Sequence, residues 1–266
     1  MCTKSHLVAL TLRIAMLPRS PVIRPRLAQA SGLVAGFSTR YGGVSSPPYD
    51  SLNVGPDVDD APEAVAENRR RVCDALGIAS DQLARAGQVH GATVRKVDAP
   101  GYYPDCDALV TTTPTLFLSV VTADCAAVLC ADLEAGVVAA CHSGWRGTVA
   151  GILPNTLEAM KQQGATPTRI QAYISPCIGV DAFEVGPDVA AQFDEAVVDT
   201  TYGGRPHVDL KRALHRQLRA AGVPEAQIQV DAHCTASSEG LFSHRANGPA
   251  TGRMMGVIGY RLDPHE

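Results

Sequence analysis

Strand-like and helix-like segments alternate along the chain from residue 33 onward. Short apolar runs bounded by Gly, Pro and Ser predict strands over residues 33–39, 88–97, 116–122, 126–131, 137–140, 170–174, 228–230 and 254–260. The three runs between residues 116 and 140 are almost continuously apolar, which indicates strands that are buried on both faces. We therefore expect the most sheet-rich part of the fold at the centre of the chain.

Helices are predicted where apolar residues recur with helical spacing between capping signals. The expected ranges are residues 61–76, 147–163, 187–196 and 208–221. Asp60 is expected to cap the first helix, Gly77 to end it, and Gly222 to end the last one. Pro154 is expected to kink the second helix or to separate its first turn.

The composition is that of a globular protein with a sizeable core. Of the 266 residues, 45% are hydrophobic and 19% are charged, and the formal net charge is −4. This balance lacks the basic surface that nucleic-acid binding requires, and no apolar run reaches the roughly 18 residues of a membrane span. No repeat or long linker divides the chain. We expect one domain over residues 25–266, preceded by a flexible N-terminal extension over residues 1–24, with no nucleic-acid or membrane partner.

Cysteine spacing and common motifs exclude several kinds of site. The 8 cysteines contain no C-x-x-C pair, so neither a zinc ribbon nor a redox dithiol is indicated. A chain of this length has core enough without disulfides, and we expect reduced thiols in a cytoplasmic protein. The P-loop, the G-x-G-x-x-G loop, the G-x-S-x-G elbow, H-E-x-x-H and the nucleobase-deaminase signature are all absent.

Three short segments carry reactive side chains at or just after predicted strands. They are Gln88-Val89-His90-Gly91, Thr122-Ala123-Asp124-Cys125 and Cys141-His142-Ser143-Gly144-Trp145-Arg146-Gly147. Because the ends of neighbouring strands converge, His90, Cys125 and His142 are candidates to meet at one rim. Imidazole and thiolate suit zinc, and three protein ligands leave a fourth position open, as in catalytic zinc sites. From spacing alone, a strand-edge histidine and a buried thiol are the simpler interpretation.

These segments resemble the laccase-domain family, which has been called bacterial polyphenol oxidase and zinc-dependent purine nucleoside phosphorylase. The resemblance runs from Gly36 to the C-terminus and includes the three segments above. The further motifs are, in order, Gly36-Phe37-Ser38-Thr39-Arg40, Tyr41-Gly42-Gly43-Val44-Ser45, Ser51-Leu52-Asn53-Val54-Gly55, Pro176-Cys177-Ile178-Gly179, Phe183-Glu184-Val185-Gly186, Phe242-Ser243-His244-Arg245 and Thr251-Gly252-Arg253.

The resemblance implies an α+β fold: a four-layer α/β/β/α sandwich with mixed sheets in a single domain. It also implies that His90, Cys125 and His142 bind zinc in this chain. Two departures are visible, because Val180-Asp181-Ala182 replaces a usual Pro-Cys-Cys stretch and Ser237 replaces a cysteine often found three residues after Cys234. Neither departure touches the three ligands, but both argue against a role for additional family cysteines.

Among the activities that the resemblance implies, phosphorolysis fits this sequence better than oxidation. A blue copper plus a three-copper cluster needs many histidines, mostly in His-x-His pairs, whereas this chain has 8 His and no such pair. Copper still competes strongly for a His/Cys site in vitro, so a copper-dependent polyphenol oxidase is an alternative. The expected substrates are phosphate with adenosine, inosine, guanosine or S-methyl-5′-thioadenosine.

Phosphorolysis requires groups that hold an anion, and Arg40 and Arg146 are the candidates for phosphate. Arg146 directly precedes a predicted helix, where free N–H groups favour anions, and Gly144 and Gly147 allow close backbone approach. The alternative for Arg146 is a surface ion pair. The resemblance also implies adenosine deaminase activity, for which Asp124 is the candidate proton shuttle. An equally weighted alternative is that the Asp124 carboxylate orients a metal-bound histidine.

Four further side chains are candidates for contact with the substrate. His244, expected to be catalytic, and Arg245 lie on a loop that is expected to close over the substrate, although a plain polar loop explains them as well. Ser38 and Asn53 are candidates for hydrogen bonds to ribose or base, and Asn53 equally suits a turn. Trp145, the single tryptophan, is interpreted as a packing anchor.

Two other function classes compete with the zinc enzyme. The first is a cysteine-dependent hydrolase, with Cys125 as nucleophile and His142 as its base. Some relatives are linked to editing of peptidoglycan precursors, which the resemblance makes relevant here. The second is a non-catalytic protein that binds a partner.

Overall fold

The computed structural model describes residues 19–30 and 32–261. The strands are, in chain order, β1 (Val22–Ile23), β2 (Leu33–Ser38), β3 (Leu83–Ala86), β4 (Val94–Lys96), β5 (Gly101–Tyr103), β6 (Ala108–Thr111), β7 (Phe117–Thr122), β8 (Ala126–Asp132), β9 (Val137–Ser143), β10 (Gln171–Ile174), β11 (Val198–Asp199), β12 (His207–Val208), β13 (Ile228–Val230) and β14 (Met254–Tyr260). The α-helices are α1 (Pro62–Leu76), α2 (Trp145–Val149), α3 (Ile152–Gln162), α4 (Pro187–Ala190), α5 (Leu210–Ala220) and α6 (His244–Asn247).

Most of the strands form two six-stranded sheets of mixed direction. The first sheet has the order β1-β2-β14-β7-β3-β5, and the second has the order β13-β10-β8-β9-β6-β4. Parallel pairs join β3 to β5 and β7 in the first sheet, and β10 to β13 and β4 to β6 in the second. The other neighbouring pairs are antiparallel. The strand β1 lies within the predicted N-terminal extension, whose residues 1–18 fall outside the described residues.

The two sheets pack face to face, and each is covered on its outer side by helices. One apolar cluster fills the space between the sheets, a second lies between the second sheet and α3 and α5, and a third lies between the first sheet and α1. This arrangement confirms the expected four-layer α/β/β/α sandwich. It also places the ends of strands from both sheets along one rim, where the candidate site lies.

The central strands are apolar on both faces because each face meets a different layer. In β8, Leu129 packs between the sheets and Val128 packs beneath the helices, and both are fully buried. The strand β9 alternates in the same way, with Ala140 facing the other sheet and Cys141 facing the helices. Burial on both faces, predicted from the continuous apolar runs, is confirmed here.

The helical expectations needed three corrections. The predicted helix over residues 147–163 begins earlier, at Trp145, and is divided at Gly151 (φ +81°) instead of at Pro154. Pro154 lies in the first turn of α3, where a missing N–H costs nothing. The helix α4 ends at Ala190 and does not continue to residue 196.

The third correction concerns Asp60, which does not cap α1. Ala61 occupies the cap position, and the Asp60 carboxylate instead accepts hydrogen bonds from the Ala61 N–H at 2.9 Å and Ser45 Oγ at 2.6 Å. Gly77 ends α1 and Gly222 follows α5, with φ angles of +69° and +93°, as predicted. No helix in the described ranges is both long and apolar enough to span a membrane.

Candidate metal centre

The structure brings His90, Cys125 and His142 together at the rim of the sandwich. His90 lies in the loop after β3, Cys125 in the turn between β7 and β8, and His142 near the end of β9. Their ligand atoms all lie within 4.8 Å of one another, and Cys125 Sγ is 4.0 Å from His90 Nε2. Within residues 19–30 and 32–261, no other group of His, Cys, Asp and Glu side chains comes together in this way.

The fully buried carboxylate of Asp107 positions two of these ligands. Its Oδ1 lies 2.8 Å from His142 Nδ1, which leaves His142 Nε2 for a metal. The same carboxylate accepts backbone N–H groups of three consecutive residues, Val89, His90 and Gly91, at 3.1, 3.0 and 2.8 Å. A carboxylate that orients a ligating histidine is a regular feature of metal sites. Sequence reasoning gave this orienting role to Asp124 as an alternative and missed Asp107.

The loop that carries His90 is not the strand that alternation predicted over residues 88–97. Only Val94–Lys96 is a strand, because Gln88 and His90 adopt positive φ angles of +49° and +59°. Non-glycine residues rarely adopt this conformation. The Asp107 carboxylate receives the N–H groups that a neighbouring strand would otherwise accept, and this is the physical reason for the loop.

The turn that carries Cys125 is held in a similar way by Asp124, which has a φ of +80°. The Asp124 carboxylate accepts hydrogen bonds from Thr235 Oγ1 at 2.6 Å, Ser243 Oγ at 2.7 Å and the Arg245 N–H at 2.6 Å. Asp124 therefore ties the turn before β8 to the segment that contains α6. It lies beside the candidate ligand Cys125, and its hydrogen-bond partners among the described residues include no histidine side chain.

A glycine makes room for the ligand group. A Cβ atom on Gly144 would lie 2.7 Å from Cys125 Sγ and 3.2 Å from His90 Cδ2. The backbone of Gly144 (φ −82°, ψ 176°) is accessible to any residue. The close approach of these side chains, and not backbone conformation, is thus what requires glycine at this position.

The electrostatics of the group favour a thiolate beside an imidazolium when no ion is bound. Burial raises the pKa of the Cys125 thiol, but the charge of His142 and hydrogen bonds from His142 and His90 outweigh it and lower the pKa to about 6. Burial lowers the pKa of His142, whereas Cys125 and Asp107 raise it to about 9. The buried thiols of Cys141 and Cys177 have pKa values raised to about 12 by burial.

The chemistry of this donor set fits a transition-metal ion. Zinc binds thiolate and imidazole at distances that place tetrahedral ligand atoms about 3.5 Å apart, so small side-chain movements would close the group around an ion. The Asp107 carboxylate fixes the orientation of His142, and the thiol already favours its ionised, ligating form. His90, Cys125 and His142 are therefore the residues that would hold a metal.

A cavity of about 610 Å³ opens directly onto this group. A volume of this size is typical of sites for small organic ligands. Apolar side chains of Val121, Ile178, Phe183 and Met255 line part of it, and Trp145 lies at its wall. Trp145 also packs against a small cluster around Phe183, in agreement with its interpretation as a packing residue.

Three of the residues expected at the site do not line this cavity. Arg40 pairs with Asp50 at 3.2 Å and stacks over Phe242. Ser38 is fully buried, and its hydroxyl accepts a hydrogen bond from the Met255 N–H at 2.8 Å.

Asn53 has the supporting role that its alternative interpretation suggested. It is fully buried, and its Oδ1 accepts the N–H groups of Gly55 at 2.9 Å and Arg253 at 2.8 Å. Its amide nitrogen donates to Asp60 Oδ2 at 2.8 Å. Asn53 therefore fixes the loop after β2 beside the cavity without contacting the cavity itself.

The remaining expected residues do line the cavity. Arg146 is exposed and lies over the Trp145 ring at 4.4 Å. His244 and Arg245 begin α6, and the Arg245 guanidinium donates to the carbonyl oxygens of Ala182 and Glu184 at 2.8 and 3.0 Å. Arg245 thus joins α6 to the loop around Phe183 at the wall of the cavity. Arg69 and Arg85 also line it, although no motif marks them in the sequence.

The fold and the candidate site together identify the family of this protein. Two mixed sheets pack face to face between outer helices, and a His-Cys-His group lies at their rim. The chain belongs to the family described as multi-copper polyphenol oxidoreductase laccase, whose model matches residues 34–261. Among solved structures, YlmD from Geobacillus stearothermophilus has a TM-score of 0.88 and 32% identity, covering 94% of this chain and 99% of its own. Neisseria meningitidis protein NMB0706 has a TM-score of 0.81 and 35% identity, with coverages of 91% and 100%.

The names of similar curated proteins give an activity that differs from the oxidoreductase activity in the family description. A protein of Deinococcus radiodurans named purine nucleoside phosphorylase is 45% identical over 246 residues, which cover 91% of this chain and 94% of the relative. Purine nucleoside phosphorylase Rv2149c of Mycobacterium tuberculosis is 42% identical over 226 residues, with coverages of 83% and 89%. The resemblance inferred from the sequence motifs is therefore confirmed at the level of the family.

Proposed function

We propose that this protein is a zinc-dependent purine nucleoside phosphorylase. The observation that carries the proposal is that the His90-Cys125-His142 group opens onto a cavity of about 610 Å³ that is lined by both apolar side chains and arginines. Such a cavity has room for a flat base together with an anionic co-substrate. The names of relatives at 45% and 42% identity support the substrate class.

The proposed reaction transfers the ribosyl group from a purine to phosphate. A phosphate oxygen forms a bond to the anomeric carbon while the bond from that carbon to the purine nitrogen breaks. The electron pair of the broken bond leaves with the purine, which takes up a proton. The protein must therefore hold an anion, bind the base on an apolar surface and stabilise negative charge on the leaving purine.

Zinc is the metal that we assign to the site. A bound zinc ion would supply Lewis-acid stabilisation of developing negative charge. Copper would also occupy a His/Cys set in vitro, but the described residues offer one such group, and the whole chain has 8 His without a His-x-His pair. The residues therefore support a single-metal site and not the copper cluster that the family description suggests.

Within the cavity, we assign Arg146 and His244 to contact with the substrate. Both side chains are exposed at the wall of the cavity, and His244 has no side-chain hydrogen bond among the described residues. Arg245 holds the mouth of the cavity through its two carbonyl contacts. Arg40, Ser38 and Asn53 support neighbouring loops and take no direct part in this proposal.

Adenosine deamination is the accompanying activity that we propose for the same cavity. In this reaction water adds to the purine carbon that bears the amino group, the bond from that carbon to the amino nitrogen breaks, and ammonia leaves after proton transfer by a nearby group. Asp124 lines the cavity next to Cys125. Its carboxylate accepts hydrogen bonds from Thr235, Ser243 and the Arg245 N–H, which fix its position beside Cys125.

A cysteine-dependent hydrolase, such as one that edits peptidoglycan precursors, is the second candidate. It is favoured by the lowered pKa of Cys125 beside His142, which is typical of an activated thiol nucleophile. Metal analysis separates the two candidates. If the wild type binds one zinc ion per chain and Cys125→Ser loses it, Cys125 is a metal ligand. If Cys125→Ser keeps its zinc content but loses peptide hydrolysis, Cys125 is a nucleophile.

Chromatography of nucleoside reactions tests the proposal. Zinc-loaded protein is incubated with inosine or adenosine, with and without phosphate, and free base, ribose phosphate and inosine are quantified. We expect phosphate-dependent release of base, and inosine from adenosine without phosphate. Cys125→Ser should abolish both, whereas Cys234→Ser, a half-buried cysteine outside the cavity, should retain them. Absence of all these products with wild-type protein would exclude the proposal.

A further inference from the structure

Partly buried arginines in the described residues fall into two groups. Arg40, Arg71 and Arg169 each pair with a carboxylate, respectively Asp50, Glu67 and Asp132. Arg69, Arg85 and Arg253 are shielded to a similar degree but have no carboxylate oxygen within 4.0 Å. A guanidinium that is removed from water normally has an anionic partner. The second group therefore lacks the anionic partner that a shielded guanidinium normally has.

All three unpaired arginines line the cavity that contains the metal ligands. They come from separate parts of the chain: Arg69 from α1, Arg85 from β3, and Arg253 from the residue before β14. The charge of Arg253 interacts with Cys125 and Asp124, and that of Arg69 interacts with Arg85. The fold thus gathers three like charges in the cavity that contains the candidate metal ligands, and two of these charges, those of Arg69 and Arg85, repel each other.

The guanidinium groups are held in place by contacts that leave donors free. Arg69 Nε donates to the Val54 carbonyl oxygen at 2.9 Å, and Arg253 Nη1 donates to the Thr251 carbonyl oxygen at 2.7 Å. A Cβ atom on Gly55 would lie 2.4 Å from Arg253 Cγ, so glycine there makes room for the arginine stem. Arg85 lies over the Tyr102 ring at 5.8 Å.

The electrostatic cost of this arrangement is visible in two of the groups. Burial and repulsion by Arg85 lower the pKa of Arg69 to about 10, and burial lowers the pKa of Arg253. Asp57 lies in the same cavity and attracts both, but it makes no ion pair with either. An anion bound among the three arginines would relieve this cost. Several fork-shaped donors facing one space match the oxygens of phosphate.

We propose that Arg69, Arg85 and Arg253 form a binding subsite for inorganic phosphate next to the metal ligands. The assignment rests on the proposed function in that the bound phosphate is the attacking co-substrate. It differs from the expectation drawn from the sequence, which selected Arg40 and Arg146. Arg40 already has a carboxylate partner, and Arg146 is exposed at the wall.

Titration calorimetry with inorganic phosphate, and KM values for phosphate and inosine, test the subsite on the full-length zinc-loaded protein. Arg85→Gln and Arg69→Gln remove one cation each. Arg70→Gln is the matched control, because Arg70 is the next residue on α1 but is exposed and paired with Glu67. Thermal unfolding identifies any variant that fails to fold, and Arg85→Lys then provides the milder change in charge geometry.

We expect Arg85→Gln and Arg69→Gln to weaken phosphate binding and raise the phosphate KM roughly tenfold or more, with a small change in the inosine KM. Arg70→Gln should match the wild type. If the wild type binds phosphate in this arginine-dependent way but turns over no nucleoside, the subsite stands and the proposed function fails. If phosphorolysis occurs and the arginine variants change only the inosine KM, the subsite is wrong and the proposed function stands.

A second ligand distinguishes free phosphate from the phosphate ester of a nucleotide. Inosine 5′-monophosphate is titrated into the same proteins. Loss of nucleotide binding in the arginine variants, with unchanged binding of inorganic phosphate, would overturn the proposal. Loss of inorganic phosphate binding supports it.

Discussion

The Asp107 carboxylate lies 2.8 Å from Nδ1 of His142 and is buried beneath the proposed metal centre. Through the same two oxygens it also accepts three backbone N–H groups from the loop that carries His90. Asp107 thus sets the orientation of one ligand and the backbone path of another. A single buried carboxylate makes the geometry of two ligands from distant parts of the chain depend on each other.

We expect Asp107→Asn to weaken zinc binding by about 10- to 100-fold, as is usual when a carboxylate behind a ligating histidine is lost. An amide has one acceptor oxygen, so its NH₂ group must face either His142 or the N–H groups of Val89 and Gly91. Competition with a chromogenic chelator measures the affinity. Asp105→Asn, at an exposed position two residues earlier, should bind zinc like the wild type. Equal affinity of Asp107→Asn and wild type would contradict the positioning role.

Gly144→Ala is expected to impair metal binding without unfolding the protein. The added Cβ would lie 2.7 Å from Cys125 Sγ, although the backbone at this position tolerates alanine. Gly91→Ala is the matched control beside His90, since its Cβ would make only ordinary contacts at 3.5 Å. Zinc content and thermal unfolding are measured for both. Full zinc occupancy in Gly144→Ala would show that the ligand group is not as close-packed as described.

Cys125 should react with iodoacetamide at unusually low pH when the protein is stripped of metal. Because its pKa is lowered to about 6, the thiolate fraction and the alkylation rate should rise through that pH and level off above it. For an ordinary thiol, the alkylation rate rises only near its pKa of about 8.5. Mass spectrometry of the Cys125 peptide follows the rate, and Cys141, with a pKa raised to about 12, is the internal control. Zinc should protect Cys125; a rate that rises only above about pH 8 would contradict the charge arrangement.

The stability of the second sheet should depend on Asp132 at low pH. This fully buried carboxylate accepts hydrogen bonds from Ala135, Thr166 and Arg169. Burial raises its pKa, but the bonds from Arg169 and the two backbone N–H groups outweigh burial and lower the pKa. Its contribution is therefore complete above the unfolded value of about 3.9 and is lost as the pH falls through the folded value.

Asp132→Asn should accordingly lower the free energy of unfolding by about 1–3 kcal/mol near neutral pH, toward the lower end because Arg169 is partly exposed. The difference from wild type should shrink below about pH 4. Urea unfolding at a series of pH values measures it. Glu134→Gln is the control, because Glu134 is exposed and its pair with Arg169 should contribute less than about 1 kcal/mol. A pH-independent difference would contradict the assignment.

The central strands could be predicted from the sequence because they leave a local signal, whereas the three candidate metal ligands were selected through the resemblance to a known family. Apolar runs such as that around Leu129 reflect burial on both faces, and the three candidate ligands lie in motifs next to strand ends. The loop at His90 was wrongly predicted as a strand because its path depends on hydrogen bonds to Asp107, which lies 17 residues further along the chain, just before β6. The alternation of apolar and polar residues cannot reveal a hydrogen bond to a carboxylate elsewhere in the chain.

The same limit explains why the arginines that line the cavity could not be predicted from the sequence. Arg69 and Arg85 carry no motif, and their presence in one cavity follows from how α1 and β3 pack in the finished fold. Arg40 lies in a conspicuous motif, but its guanidinium is paired with Asp50 outside the cavity. Motif membership indicates that a residue matters to the fold or the site, whereas its chemical role depends on which charges lie around it.

Phosphorus NMR of the reaction of inosine with phosphate tests the central claim most directly, because it follows the bond that the proposed reaction forms. For zinc-loaded wild-type protein we predict a ribose 1-phosphate signal that grows as inorganic phosphate declines, in equal amount to the free hypoxanthine released. Cys125→Ser, which removes a proposed metal ligand, should give no such signal, whereas Cys234→Ser should match the wild type. Release of hypoxanthine without consumption of phosphate, or a ribose 1-phosphate signal undiminished in Cys125→Ser, would contradict the account.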